Sequence, residues 1–186
     1  MIRIGVVDTT FARADMGGEA VSTLRALGTG FRVLRRTVPG IKDLPVACKK
    51  LIEEEDCRLV MALGMPGAKP IDKTCAHEAT QGLIQAQLMT NTHILEVFVH
   101  EDEAEDARTL HDLLLARTRD HCQNAYDMLF RPDALTARAG SGVRQGYTSV
   151  GSALAPAARS DMGTGPLHGT KASTGSPSSG TSGVKH

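Results

Sequence analysis

Among the seven histidines of this chain, His100 stands in the richest chemical setting, directly ahead of Glu101, Asp102 and Glu103. An imidazole titrates near neutral pH, and neighbouring carboxylates orient it or favour its charged form, so this group suits acid–base work. The plainer reading is that acids in a first helical turn are favoured by the macrodipole alone. His77-Glu78 is a second such pair, and His93 stands at a strand start. Their spacing gives no set of convergent ligands, so no metal site is assigned. Phe11, beside Thr9, Thr10 and Arg13, offers a ring to stack on a flat ligand and polar groups to hold its edge. It would serve equally as a plug over the core. In Thr37-Val38-Pro39-Gly40-Ile41-Lys42-Asp43 the glycine lets the backbone approach a ligand closely. The helix after it presents unpaired N–H groups, and Lys42 adds a cation. Gly64-Met65-Pro66-Gly67-Ala68-Lys69-Pro70 lacks the Gly-Lys-Ser/Thr ending of a phosphate loop. No GxGxxG follows the first strand either, which argues against ATP and NAD.

These groups need a scaffold, and the hydrophobic pattern supplies one. Ile2–Asp8, Phe31–Val38, Cys57–Leu63 and Ile94–Val99 read as strands. Several are apolar on both faces, as in a parallel sheet covered by helices. Asp15–Leu27 carries Met16, Ala20, Val21, Leu24 and Leu27 at helical spacing, with Gly28 as its expected cap. Asp43 is expected to cap a helix with Leu44, Val46, Ala47, Leu51 and Ile52 as its stripe. A third helix opens at Asp72 or Thr74 and runs to about Met89, and a long fourth runs from about Glu101 to Leu129. The order βαβαβαβα predicts a three-layer α/β/α sandwich on a four-stranded parallel sheet. Ligands of such sheets bind beyond the carboxyl ends of the strands. That rule selects the loops Asp8–Arg13, Thr37–Asp43, Gly64–Lys69 and His100–Glu103.

Composition bounds the rest. The 186 residues carry 21 basic and 21 acidic side chains, so no net field draws the chain to nucleic acid or an anionic membrane. Aromatics make up 3%, few for a protein that stacks on single strands. No apolar run is long enough to span a membrane, and no signal-peptide layout is expected. The four cysteines form no CxxC pair and read as buried thiols of a cytoplasmic protein. Residues 151–186 hold 21 Gly, Ser, Thr or Pro among 36, too little apolar surface to offset the entropy of ordering, and read as a disordered tail. That tail holds Arg159, Lys171 and Lys185 against Asp161, so residues 1–150, the expected catalytic domain, carry 18 basic and 20 acidic side chains.

Several segments also carry a resemblance. Val38-Pro39-Gly40-Ile41-Lys42-Asp43-Leu44-Pro45 resembles the V-P-G-x-x-E-x-P loop of lumazine synthase, and His77-Glu78-Ala79-Thr80-Gln81-Gly82 resembles its N-E-A-x-x-G helix. Val6–Arg13, Met61–Gly67, Cys75–Ala79, Glu96–Ala104 and Arg144-Gln145-Gly146 look like the archaeal-type riboflavin synthase, a relative of lumazine synthase. The resemblance covers about residues 1–151. Lumazine synthase holds a phosphate with an Arg-Gly-x-Thr-Pro-His stretch after its third strand. Here Met65-Pro66-Gly67-Ala68-Lys69 stands in that place, and Ile71 or Asp72 falls near the family's histidine. The phosphate holder is gone, which favours the riboflavin synthase side.

That resemblance implies a dismutation of two 6,7-dimethyl-8-ribityllumazine molecules to riboflavin and 5-amino-6-(D-ribitylamino)uracil, without a redox cofactor. It implies a divalent cation such as Mg2+ and a homopentamer with sites between subunits. His100 and His77, with Glu101, are the expected proton-handling groups. Phe11 would stack on a ring. Backbone of Pro39, Gly40, Ile41, Lys42, Leu63, Gly64 and Met65 would read the pyrimidine edge, and Thr10, Lys42 and the acids after His100 would bind the ribityl hydroxyls. A lumazine synthase and a non-catalytic flavin- or lumazine-binding module are the other readings.

Overall fold

β1 (Ile2–Thr9), β2 (Phe31–Val38), β3 (Cys57–Gly64) and β4 (Ile94–Phe98) pair in parallel as one sheet, in the order β2-β1-β3-β4. Between the strands run α1 (Met16–Leu27), α2 (Leu44–Glu53) and α3 (Pro70–Thr90). After them come α4 (Ala107–Phe130) and the short α5 (Pro132–Ala137). The computed structural model describes residues 1–144 and 147–153, and its compact unit is Met1–Ala153. Gln145, Gly146 and the tail from residue 154 onward lie outside the described residues.

Side chains alternate across each strand, and this builds two cores at once. Ile4 and Val6 of β1, Leu59, Met61 and Leu63 of β3, and Val97 of β4 pack with Leu24 of α1 and Leu114 and Cys122 of α4. Val7, Val60, Ala62 and Ile94 point the other way, onto Leu44, Cys48 and Leu51 of α2 and Leu83 and Ala86 of α3. Each fully buried Leu or Val contributes about 1.5–3 kcal/mol of apolar transfer energy. The expected α/β/α sandwich is therefore present. The chain winds from β1 to β2 in one direction and from β3 to β4 in the other. The carboxyl ends of β1 and β3 thus flank the point where a crevice opens.

Local expectations fail in four places. The long helix does not begin at Glu101. Glu101–Glu103 form a single 3-10 turn, Ala104 is extended, and α4 starts at Ala107. Asp106 caps it, its carboxylate accepting from the N–H groups of Arg108 and Thr109 at 2.9 and 3.0 Å. Val46 is 62% exposed; Leu44, Cys48 and Leu51, at i, i+4 and i+7, are the buried stripe of α2. The Asp43 side chain caps nothing in α2, and accepts instead from the Gly40 N–H at 3.2 Å. Gly28 is extended, not left-handed, and a Cβ there would sit 2.7 Å from the Tyr126 hydroxyl, so close packing requires the glycine.

Candidate active site

Two of the hollows near the strand ends have α3 as the wall between them. The smaller, about 170 Å³, is lined by Phe11, Pro39, Gly40, Ile41, Met65, Pro66, Gly67, Asp72 and Cys75. The Phe11 side chain is 60% exposed, so it does not plug the core. Thr10 ties the first two loops together. Its N–H donates to the Val38 carbonyl at 2.9 Å and its hydroxyl to the Pro39 carbonyl at 3.2 Å. Lys42 forms an ion pair with Glu78 of α3 and, like Thr10, is not in the lining. Gly64 is buried beneath the loop; a Cβ would meet Ile41 Cγ2 at 2.8 Å and Phe98 Cε1 at 3.0 Å.

Below Phe11, Asp8 is a buried carboxylate at the end of β1. Its register partner Thr37 donates a hydroxyl to it at 2.7 Å, and Arg35 binds it at 2.5 Å. The same Arg35 nitrogen reaches Asp15, the N-cap of α1, at 2.5 Å. The Gly18 N–H and Arg35 hold the Asp15 carboxyl below its ordinary range. The loop that carries Phe11 is thereby anchored at both ends.

The larger hollow, about 710 Å³, lies between α3, β4 and α4. His77 and His100 both line it, which brings the two expected histidines together. Lys73, Ala76 and Thr80 of α3, Glu96 and Phe98 of β4, Asp102 and Glu103 of the 3-10 turn, Arg117 and His121 of α4, and Tyr147 complete most of its wall. Glu101 is absent from that wall: its carboxylate pairs with Arg13 at 3.1 Å and its N–H donates to the Pro66 carbonyl.

Glu103 organises this site. It accepts from the two terminal nitrogens of Arg117 at 3.0 and 2.6 Å, from the His100 N–H at 2.8 Å and from the Tyr147 hydroxyl at 2.9 Å. Burial pushes its carboxyl up, but these donors together outweigh burial and hold it below its ordinary value. Arg117 also donates to the Phe98 carbonyl at 2.9 Å, and its guanidinium lies 4.7 Å from the Tyr147 ring centroid. Burial first, and then the charge of Arg117, pushes His121 below the ordinary imidazole value. His100 keeps a buried Nδ1 with no hydrogen-bond partner among the described residues, as does Glu96 at Oε2. Neutral and charged donors facing a polar-and-apolar hollow suit a flat, hydroxylated heterocycle and proton transfer to it.

Sequence reasoning missed Glu96, Arg117 and Tyr147. Glu96 is the only charged residue within the apolar run Ile94–Val99, and Arg117 falls at helical spacing from Leu110 and Leu114 on the face that should be apolar. Both were readable as polar intrusions into a core pattern. Tyr147 lies in an irregular stretch that gives no periodic signal. As to a divalent cation, no three His, Cys, Asp or Glu side chains gather as a binding site among the described residues. The residues present thus do not fit a protein-built cage for one.

The family model for 6,7-dimethyl-8-ribityllumazine synthase matches residues 1–132. The riboflavin synthase of Methanothermobacter marburgensis is 64% identical over 151 residues, covering 81% of this chain and 99% of the relative. That of Archaeoglobus fulgidus is 46% identical over 153 residues, covering 82% and 99%. The 6,7-dimethyl-8-ribityllumazine synthase of Thermus thermophilus is 29% identical over 109 residues, or 58% and 69%. With both the family model and these relatives spanning most of its length, the chain belongs to the 6,7-dimethyl-8-ribityllumazine synthase family.

Proposed function

We propose that this chain is a riboflavin synthase, a transferase that moves a four-carbon unit between two 6,7-dimethyl-8-ribityllumazine molecules. The observation that carries the reading is the 64% identity with a riboflavin synthase over nearly the whole of that relative. Met65-Pro66-Gly67-Ala68-Lys69 supports it further, since the loop supplies no arginine where lumazine synthase holds a phosphate.

The substrate does much of the chemistry. Its electron-poor ring stabilises the anion left when the C7 methyl loses a proton. The protein must hold two flat rings together, a proximity effect, and move protons. Phe11 stacks on a ring above the loops of Pro39–Ile41 and Gly64–Met65, and Thr10 and Lys42 position those loops. His100 takes the methyl proton through its imidazole, and His77 lines the same hollow. Glu101, engaged with Arg13, ties the first loop to the turn that carries His100. No redox cofactor takes part, because one lumazine gains what the other gives. Since α3 separates Phe11 from His100, a second copy of the chain is needed to bring a stacking ring to the histidines. That supports the homopentamer with sites between subunits. Among the described residues no helix is long and apolar enough to cross a membrane. We read the enzyme as cytoplasmic, with Mg2+ as an added requirement that chelator titration would expose.

The deciding assay supplies purified protein with 6,7-dimethyl-8-ribityllumazine alone, with and without Mg2+, and follows riboflavin fluorescence. Riboflavin together with the aminopyrimidine supports the proposal. No riboflavin from the lumazine alone, with lumazine formed in a separate incubation of the aminopyrimidine and a four-carbon phosphate, makes it a lumazine synthase. Tight binding with no turnover leaves a binding module.

A further inference from the structure

β4 and the residue pair beyond it alternate sides. Leu95, Val97 and Val99 face the core under α4, whereas Ile94 and Phe98 face the core under α3. Glu96 lies on the α3 side between those two, where the pattern asks for an apolar residue. Its Oε2 is buried and unpartnered among the described residues. His100, two residues past the strand on the same side, carries a buried, unpartnered Nδ1. Both side chains line the 710 Å³ hollow. A buried carboxyl without a donor for its second oxygen is uncomfortable as an anion and well suited to keep a proton.

We infer that Glu96 is a second proton-handling group of this site, the acid that works opposite the His100 base. The inference rests on the riboflavin synthase reading. In the step proposed, the C7 methyl C–H of one lumazine breaks and its proton goes to the His100 imidazole, leaving an imidazolium and a ring-stabilised carbanion. As the carbanion attacks the second lumazine and negative charge builds on that ring, the Glu96 O–H breaks and its proton passes to the ring nitrogen. The carboxylate and imidazolium then exchange one proton and both groups are restored, so the cycle takes up and releases none.

The surroundings leave Glu96 able to play this part. From α3 it faces Lys73 and His77, from the turn after β4 Asp102 and Glu103, from α4 Arg117 and His121, and beyond them Tyr147. Lys73 is paired with Asp102 at 2.6 Å and Arg117 with Glu103 at 2.6 Å, so the strong charges in the wall are already engaged. Burial pushes the Glu96 carboxyl up, against smaller downward pulls from Thr80 and His100.

Glu96→Gln keeps the shape and a donor but has no acidic proton to give. Its kcat should fall roughly 100-fold while KM stays within about twofold. In the parent enzyme kcat should decline as pH rises through the raised Glu96 value; in Glu96→Gln that alkaline limb should disappear. Glu96→Asp, with a shorter acid, should regain part of both the rate and the limb, and circular dichroism of all three proteins guards against misfolding. Parent-like kcat or an unchanged alkaline limb in Glu96→Gln overturns the inference, as does a Glu96→Asp that folds and regains neither. A parent enzyme that makes no riboflavin overturns the functional reading itself, a separate outcome.

Discussion

Glu103 and Arg117 meet through two parallel N–H to oxygen bonds, at 3.0 and 2.6 Å, with the guanidinium almost fully buried. Removing one partner of such a pair leaves the other charge uncompensated. Arg117→Ala should lower unfolding stability by about 3 kcal/mol in a urea titration. The pH dependence has a definite sign. Glu103 is held below its ordinary value, so its stabilising share is present above the ordinary glutamate range and lost as pH falls through its lowered value. The parent should therefore lose stability on acidification below pH 4.5, and Arg117→Ala should lose less over that window. Parallel acid curves for the two proteins would refute this.

Phe11 is exposed and packs little, so its loss should be felt by the substrate and hardly by the fold. Stacking on an aromatic ring is worth about 1–3 kcal/mol. Phe11→Ala should raise KM roughly tenfold or more and shift the thermal midpoint little; Phe11→Tyr should behave as the parent.

Gly64→Ala tests the floor of the first hollow. A methyl there meets both Ile41 and Phe98, one from each neighbouring loop or strand. Overpacking of this kind costs about 1–3 kcal/mol. A stability loss on that scale should come with a raised KM, because Ile41 lines the hollow. An unchanged Tm and KM would show that the loop gives way freely.

The thiols make a fourth test. Burial pushes Cys57 up to about 11 and Cys122 up to about 12, and pushes Cys48 up further still. Cys75 alone of the four free cysteines is not fully buried. Native protein at pH 8 should therefore react quickly at one thiol with a disulfide reagent, and at all four in denaturant. Cys75→Ser should abolish the fast reaction.

Much of the fold was legible because strands buried on both faces write a distinctive run. The β2 limits Phe31–Val38 fall where the β-branched pattern puts them, and Leu59–Leu63 divide between two cores as alternation requires. What the pattern lacks is which surfaces meet. Periodicity assigns Arg117 to the inner face of α4 but says nothing of Glu103, fourteen residues earlier, waiting for it. The acids after His100 read as a helix start because the macrodipole favours them; Arg117 and the His100 N–H instead pull Glu103 back into a separate turn. Phe11 and His100 each stand out in the sequence. That α3 parts them does not, since a helix used as a partition has no mark in its own residues.

That partition is tethered on both flanks by lysine–carboxylate pairs. Lys42 holds Glu78 on the side of the proline loop, and Lys73 reaches Asp102 on the side of the histidine turn. All four side chains are solvent-facing, so dissolved ions reach both tethers, and at about 1 M salt the screening length shrinks to roughly 3 Å. An electrolyte thus slackens the partition from both sides at once. Ionic strength becomes a dial on how far the ring-holding hollow and the proton-moving hollow act as separate rooms.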